Sequence, residues 1–118
     1  MHNFRELVVW KKAIELTITI YKTTESFPKI EVYGITSQMR RAAISVSSNI
    51  AEGSGRGSNA DFSRFLDMAK GSAFELETQT IISNRLGYFQ HEIAKSLESQ
   101  LIEIQKMITG LQRTLKSG

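Results

Sequence analysis

The sequence predicts an all-α fold, an antiparallel up-down-up-down four-helix bundle. Three observations point there. Apolar residues recur every three or four positions through four long segments. Three short breaks rich in glycine or proline separate those segments. Strict alternation of apolar and polar residues never lasts long enough to argue a strand. Short connections make neighbouring helices antiparallel, and 118 residues suit a single domain over residues 1–118.

The elements follow from the breaks. The first helix is expected over 6–26, with a face formed by Leu7, Trp10, Ile14, Thr17, Ile18 and Tyr21. Pro28 should close it, because proline disfavours the α conformation in the preceding residue. The second is expected over 32–54, with Ile35, Met39, Ala42, Val46, Asn49 and Gly53 on one face. The run Gly53-Ser54-Gly55-Arg56-Gly57-Ser58 then makes further helix costly. Ser58, with Asp61 three residues on, is a start signal for the third helix, expected over 59–86. Its face is Phe62, Leu66, Ala69, Ala73, Leu76 and Thr80, and Gly87 suits a left-handed terminating position. The fourth helix is expected over 91–116, with Ile93, Leu97, Leu101, Ile104, Ile108, Leu111 and Leu115 in register.

Small residues crowd the second segment (Ala42, Ala43, Ser45, Ser47, Ser48, Ala51) and recur as Gly71-Ser72-Ala73 in the third. They read as a close helix–helix contact. Apolar residues also overflow the stripes: Val8, Val9, Ile20, Ile44, Phe74, Ile82 and Ile102 lie off the seams. A monomeric bundle keeps one wet face per helix. The surplus favours a second buried face made by self-association, against the plainer reading of scattered exposed residues.

Composition excludes several classes. Apolar residues make up 41% and charged residues 23%, an ordinary folded-domain balance. With no cysteine there is no disulfide framework, thiolate zinc site or thiol nucleophile. Lys11 and Lys12 interrupt the first apolar stretch, so no secretory signal is expected, and no run approaches the ~20 apolar residues of a membrane span. The expectation is a cytoplasmic protein with no membrane partner.

Catalytic constellations are equally sparse. The two histidines, His2 and His91, do not follow a glutamate by three residues, so the Glu-x-x-His pattern of di-iron bundles is missing. No histidine lies in a segment interior to serve a Ser-His-Asp arrangement. The Gly53–Ser58 run lacks both a preceding strand and the Gly-Lys-Ser/Thr of a phosphate loop; chain reversal with a Ser58 cap competes with an incidental anion site there. We therefore expect no enzyme, cofactor, metal or small-molecule substrate.

Charge gives the remaining signal. The net charge is +3, and residues 1–60 hold eight basic and five acidic side chains, whereas the remainder is balanced. A basic patch is therefore sought among Lys11, Lys12, Lys22, Arg56 and Arg64. Arg40 and Arg41 are adjacent and so project about 100° apart on a helix. One is expected to pair with Glu52, Glu75 or Glu77, within the chain or between chains, because arginine forks suit partly buried carboxylates. Glu52, near a helix C-terminus, calls for a compensating cation such as Arg40, Arg41 or Arg56.

Several motifs together narrow the reading. They are Leu7-x-Val9-Trp10-Lys11-Lys12-Ala13, the run Tyr33-Gly34-Ile35-Thr36-Ser37-Gln38-Met39-Arg40-Arg41-Ala42-Ala43, Ser48-Asn49-Ile50-Ala51-Glu52-Gly53, Phe65-Leu66-x-x-Ala69-Lys70-Gly71-Ser72, and Glu75-Leu76-Glu77-Thr78-Gln79. In that order they resemble the small bacterial four-helix-bundle proteins encoded by intervening sequences in 23S ribosomal RNA genes. One departure is Ser47, where the family often has proline, which permits a straighter second helix. The resemblance implies a homopentamer. Family names point to ribosomal genes, so ribosome association is implied only by name, and the family's function is unknown. The accessory variability determinants of diversity-generating retroelements are similar in fold, and they bind nucleic acid and a reverse transcriptase through a basic pentamer. By analogy the expected role is a non-enzymatic, oligomeric protein that binds RNA or a nucleic-acid-processing partner through phosphate contacts. The alternative is a protein-binding scaffold or accessory subunit without nucleic-acid contact.

Overall fold

Each break in the sequence ends a helix for an identifiable reason. A computed structural model describes residues 2–117, and its helices are α1 (Val8–Thr23), α2 (Ile35–Ser54), α3 (Asn59–Arg85) and α4 (His91–Ser117). Short 3-10 turns at Phe4–Glu6 and Lys29–Glu31 precede α1 and α2. The four helices form an antiparallel all-α bundle measuring 46 × 23 × 20 Å, with α2 and α3 as the most extensively packed pair. Among the described residues no helix is long and apolar enough to cross a membrane.

The caps follow elementary hydrogen bonding. The Ser58 hydroxyl accepts from Asp61 N at 3.1 Å, closing the start of α3 as its sequence predicts. At the other end Gly87 has φ +78°, Tyr88 N donates to Ser83 O at 2.9 Å and Gly87 N to Asn84 O at 3.0 Å. That is a left-handed glycine stop satisfying the last carbonyls of α3. Helix α1 ends at Thr23 rather than at 26, before proline acts. Thr24 N still reaches Ile20 O at 3.0 Å, joined there by its own hydroxyl at 2.6 Å, but Glu25 N turns to Lys22 O at 3.4 Å and breaks the ladder. Helix α2 starts at Ile35 rather than at 32, because the backbone of Gly34 (φ −108°, ψ −123°) is not helical. Glu31 of the preceding turn then receives Ile35 N at 3.5 Å and the Tyr88 hydroxyl at 2.9 Å, joining the two connections at this end of the bundle.

The core matches the expected seams on three helices. Met39, Ala42, Val46 and Gly53 of α2 are buried, as are all six seam residues of α3, and Leu97, Leu101, Ile104, Ile108 and Leu115 of α4. Helix α1 requires a correction. Its buried line is Val9, Ala13, Leu16 and Ile20, one residue round from the expected face; Trp10 and Leu7 only flank the core, and Ile18 and Tyr21 are exposed. The reason lies in α1 itself, where apolar side chains occur nearly all round the helix, so spacing alone singles out no face. Of the seven off-seam residues, Val9 and Ile20 are therefore core, whereas Val8, Ile44, Phe74, Ile82 and Ile102 are exposed.

The α2–α3 contact is close because the residues are small. Ala42, Ala43, Ala69 and Ala73 are buried between or beside these helices, and Ser72 Oγ donates across the seam to Ser45 Oγ at 2.9 Å. Near the connecting turn the approach is tightest. A Cβ on Gly53 would lie 2.7 Å from Phe65 Cβ and 2.9 Å from Phe62 Cδ1. Only a hydrogen fits there. Gly53→Ala is expected to destabilise the fold by about 1–3 kcal/mol, the usual cost of overpacking, seen as a lower urea midpoint at unchanged m-value.

The opposite end gives a pH prediction. The hydrogen bond to Glu31 holds the Tyr88 phenol above its ordinary pKa of 10.0, with desolvation and the Glu31 charge acting in the same direction. A raised phenol pKa means that the bond's contribution is present below the unfolded value and is lost as pH rises through the folded one. Tyr88→Phe should therefore lower the denaturation midpoint at neutral pH. The gap from wild type should narrow as pH passes 10.0.

Candidate nucleic-acid interface

The basic residues singled out in the sequence do not form one patch. Lys11 and Lys22 are exposed on α1, eleven residues and so about 16 Å apart along the helix. Lys12 points toward α4, where its Nζ meets Glu103 Oε1 at 3.0 Å. Arg56 and Arg64 are brought together. Their guanidinium groups lie 4.5 and 4.8 Å from the Phe65 ring centroid, and Arg64 also meets Asp61 at 3.5 Å. This pair marks the end of the bundle where the α2–α3 turn, the N-terminal segment and the C-terminus of α4 converge. There His2 N donates to Ser54 O at 2.9 Å and Asn59 Nδ2 to Leu115 O at 3.2 Å.

Among the described residues the expected arginine–carboxylate pairs are not made within one chain. Arg40 instead caps α1. Its Nε donates to Thr24 Oγ1 at 3.0 Å, its Nη2 to Tyr21 O at 3.1 Å, and its guanidinium sits 4.7 Å from the Tyr21 ring centroid. A cation at a helix C-terminus meets both the free carbonyl and the negative end of the dipole. Arg41 and Glu75 line one shallow α2–α3 cleft of about 270 Å³ with Gln38, Ala42 and Ser45, but form no ion pair. Glu75 Oε2 accepts from Gln79 Nε2 at 3.4 Å and Glu77 Oε1 from Gln105 Nε2 at 2.8 Å. Glu52 is exposed, and among the described residues it has no intrachain ion pair.

A different cluster is better placed to receive an anion. Lys70 and Phe74 of α3 face Gln105, Lys106, Thr109 and Arg113 of α4 across a groove of about 380 Å³. Among the described residues three cations line it and no carboxylate does, and none of the three is in an ion pair. Phe74 stands in it 51% exposed. Local sequence explains the arrangement. Ala73 and Leu76 take the core positions of this stretch of α3, which turns Phe74 outward on the face it shares with Lys70, four residues earlier. On α4, Lys106, Thr109 and Arg113 follow the same three-and-four spacing opposite the buried Ile104 and Ile108.

Counting charge by halves hid this groove. Its three cations lie in the half whose total is balanced, and its two walls are more than thirty residues apart in sequence. The pairs Lys70/Phe74 and Lys106/Arg113 were legible as same-face neighbours, but nothing in either segment says that they meet.

Comparison with known proteins agrees with the fold. The crystal structure of a protein of unknown function from the S23 ribosomal protein family of Bacteroides thetaiotaomicron superposes with a TM-score of 0.80 at 27% identity, covering 89% of this chain and 98% of that one. No curated protein matches the chain. The profile of the 23S rRNA-intervening sequence protein family matches residues 5–110, and the chain belongs to that family.

Proposed function

We propose that this protein is a non-enzymatic, self-associating helical protein that binds RNA through the basic groove between α3 and α4. The observation that carries the reading is the convergence of Lys70, Lys106 and Arg113 on one groove with no carboxylate among the described residues of its lining. Such a site neutralises phosphates, whose contacts position a chain without reading its sequence. Arg56 and Arg64 form a separate basic pair at the end of the bundle, with Arg64 partly neutralised by Asp61. Lys11 and Lys22 have a lesser part, and Lys12 the least, since Glu103 already holds it. The family's name, with its reference to 23S rRNA, is consistent with an RNA partner but supplies no mechanism.

Self-association is supported by the exposed apolar side chains Ile18, Ile44, Met68 and Ile82, each at least two-fifths accessible. Repetition of a weak groove in a homopentamer would raise avidity without any strong single site. The second reading, a protein-binding scaffold, draws on the far end of the bundle. Ile30 and Tyr33 are 88% and 94% exposed there, on the connection between α1 and α2. Apolar residues displayed on a connecting loop suit a protein partner.

Two measurements test the main reading. Light scattering should return a mass several times 13.3 kDa, with five copies expected; a monomer at all micromolar concentrations overturns the oligomer. Anisotropy titrations with single-stranded and structured RNA should show affinity falling steeply with salt and little sequence preference. Replacing Lys70 and Arg113 with Gln should weaken all RNAs alike. It should also flatten the log–log salt slope by about 0.7 for each single-strand phosphate that the variant no longer neutralises. Absence of binding at about 100 μM protein in low salt, the weak end of non-specific affinity, favours the scaffold instead.

A further inference from the structure

We infer that Phe74 is a stacking platform for one base of single-stranded RNA whose phosphates engage Lys70, Lys106 and Arg113. This rests on the RNA-binding reading of the same groove and adds which strand form it takes and how.

The chemistry of the groove narrows what can occupy it. An aromatic ring half exposed on a helix normally serves a core or a protein contact. Phe74 is outside the core, at 51% exposure. Two copies docking groove to groove would bring like charges together. In a ring the groove would meet a different face of the next copy, which would have to supply carboxylates to Lys70, Lys106 and Arg113 as well as cover the ring of Phe74. An apolar peptide would cover the ring but leave those cations without counter-charge. A nucleic-acid strand supplies both a π-face for the ring and phosphates for the cations, and aromatic rings beside a basic groove are the general means of holding single strands.

Geometry then selects the strand form. Lys106 and Arg113 are seven residues apart on α4, about 10 Å along the axis, and the Glu77–Gln105 bond sets Phe74 near the Lys106 end, so the cations extend along the groove away from the ring. Lys70 lies one turn from Phe74 on the facing helix. In a duplex the base faces are already stacked on one another and only edges are presented, so the ring has no face to meet. An unpaired base offers one. Two carboxylates flank the groove, and each is tied to a donor: Glu77 accepts from Gln105 Nε2 and Asp67 from Gln112 Nε2, both at 2.8 Å.

The test uses the full chain, a short oligouridylate and a blunt duplex RNA of equal length. Phe74→Leu, which keeps an apolar side chain but removes the aromatic face, should weaken oligouridylate binding about 5- to 150-fold, the range for loss of one base stack, with the salt slope unchanged. The same change should leave the weak duplex binding as it was. Phe74→Trp should retain oligouridylate affinity, and its fluorescence should be quenched on binding beyond any change in Trp10 of the parent protein. Unchanged oligouridylate affinity in Phe74→Leu overturns the inference while leaving the cationic groove intact. So does a drop in light-scattering mass for Phe74→Leu, which assigns the ring to a subunit contact. Duplex binding without oligouridylate binding overturns this inference alone, and failure of the parent protein to bind either RNA overturns the RNA-binding reading with it.

Discussion

The closeness of α2 and α3 at Gly53 constrains much of the molecule. Phe62 and Phe65 of α3 pack where a side chain on α2 would begin, so the two helices meet backbone to ring just before their turn. From that point the buried alanines, with Ser45 against Ser72, keep the helices close along the seam. The short axis separation leaves the larger side chains of α1 and α4, among them Leu16, Ile20, Leu101 and Ile104, to fill the remainder of the core. Interiors are close-packed, so relaxing this one contact would propagate through every layer.

The two ends of the bundle are closed by different chemistry. At the α2–α3 turn, rings and cations are layered: His2 lies 5.0 Å from the Phe62 ring, and Arg56 and Arg64 sit over Phe65. At the other end Phe27 packs against Tyr88 and Phe89, at centroid distances of 5.2 and 4.8 Å. There Arg40 receives the end of α1 while Glu31 receives the start of α2. Both charges therefore act on helix termini, where the macrodipole rewards them, and neither needs a charged partner. This explains why an arginine next to an uncharged stretch found a carbonyl and a hydroxyl rather than a carboxylate.

Charge on the sides of the bundle is unevenly arranged although the totals are mild. The α1–α4 side carries the Lys12–Glu103 pair, while the α3–α4 groove gathers cations without a carboxylate in its lining. A net charge of +3 is thus a poor guide to local potential, which depends on which helices become neighbours.

Local sequence was enough to specify the helices, their order, the Ser58 start and Gly87 stop of α3 and the buried seams of α2, α3 and α4, because these follow from local hydrogen bonding and from a clean three-and-four spacing. It also carried the family resemblance in its ordered motifs. It did not determine which face of α1 is buried. Apolar residues surround that helix, and only the position of α2 and α4 decided that Val9, Ala13, Leu16 and Ile20 face inward. Nor did it determine the partners of Arg40, which lie 16 and 19 residues away, or the meeting of Lys70 and Phe74 with Lys106 and Arg113. Periodicity fixes what shares one helix face; which faces become neighbours depends on packing between segments distant in the chain, and the candidate groove exists only at that level.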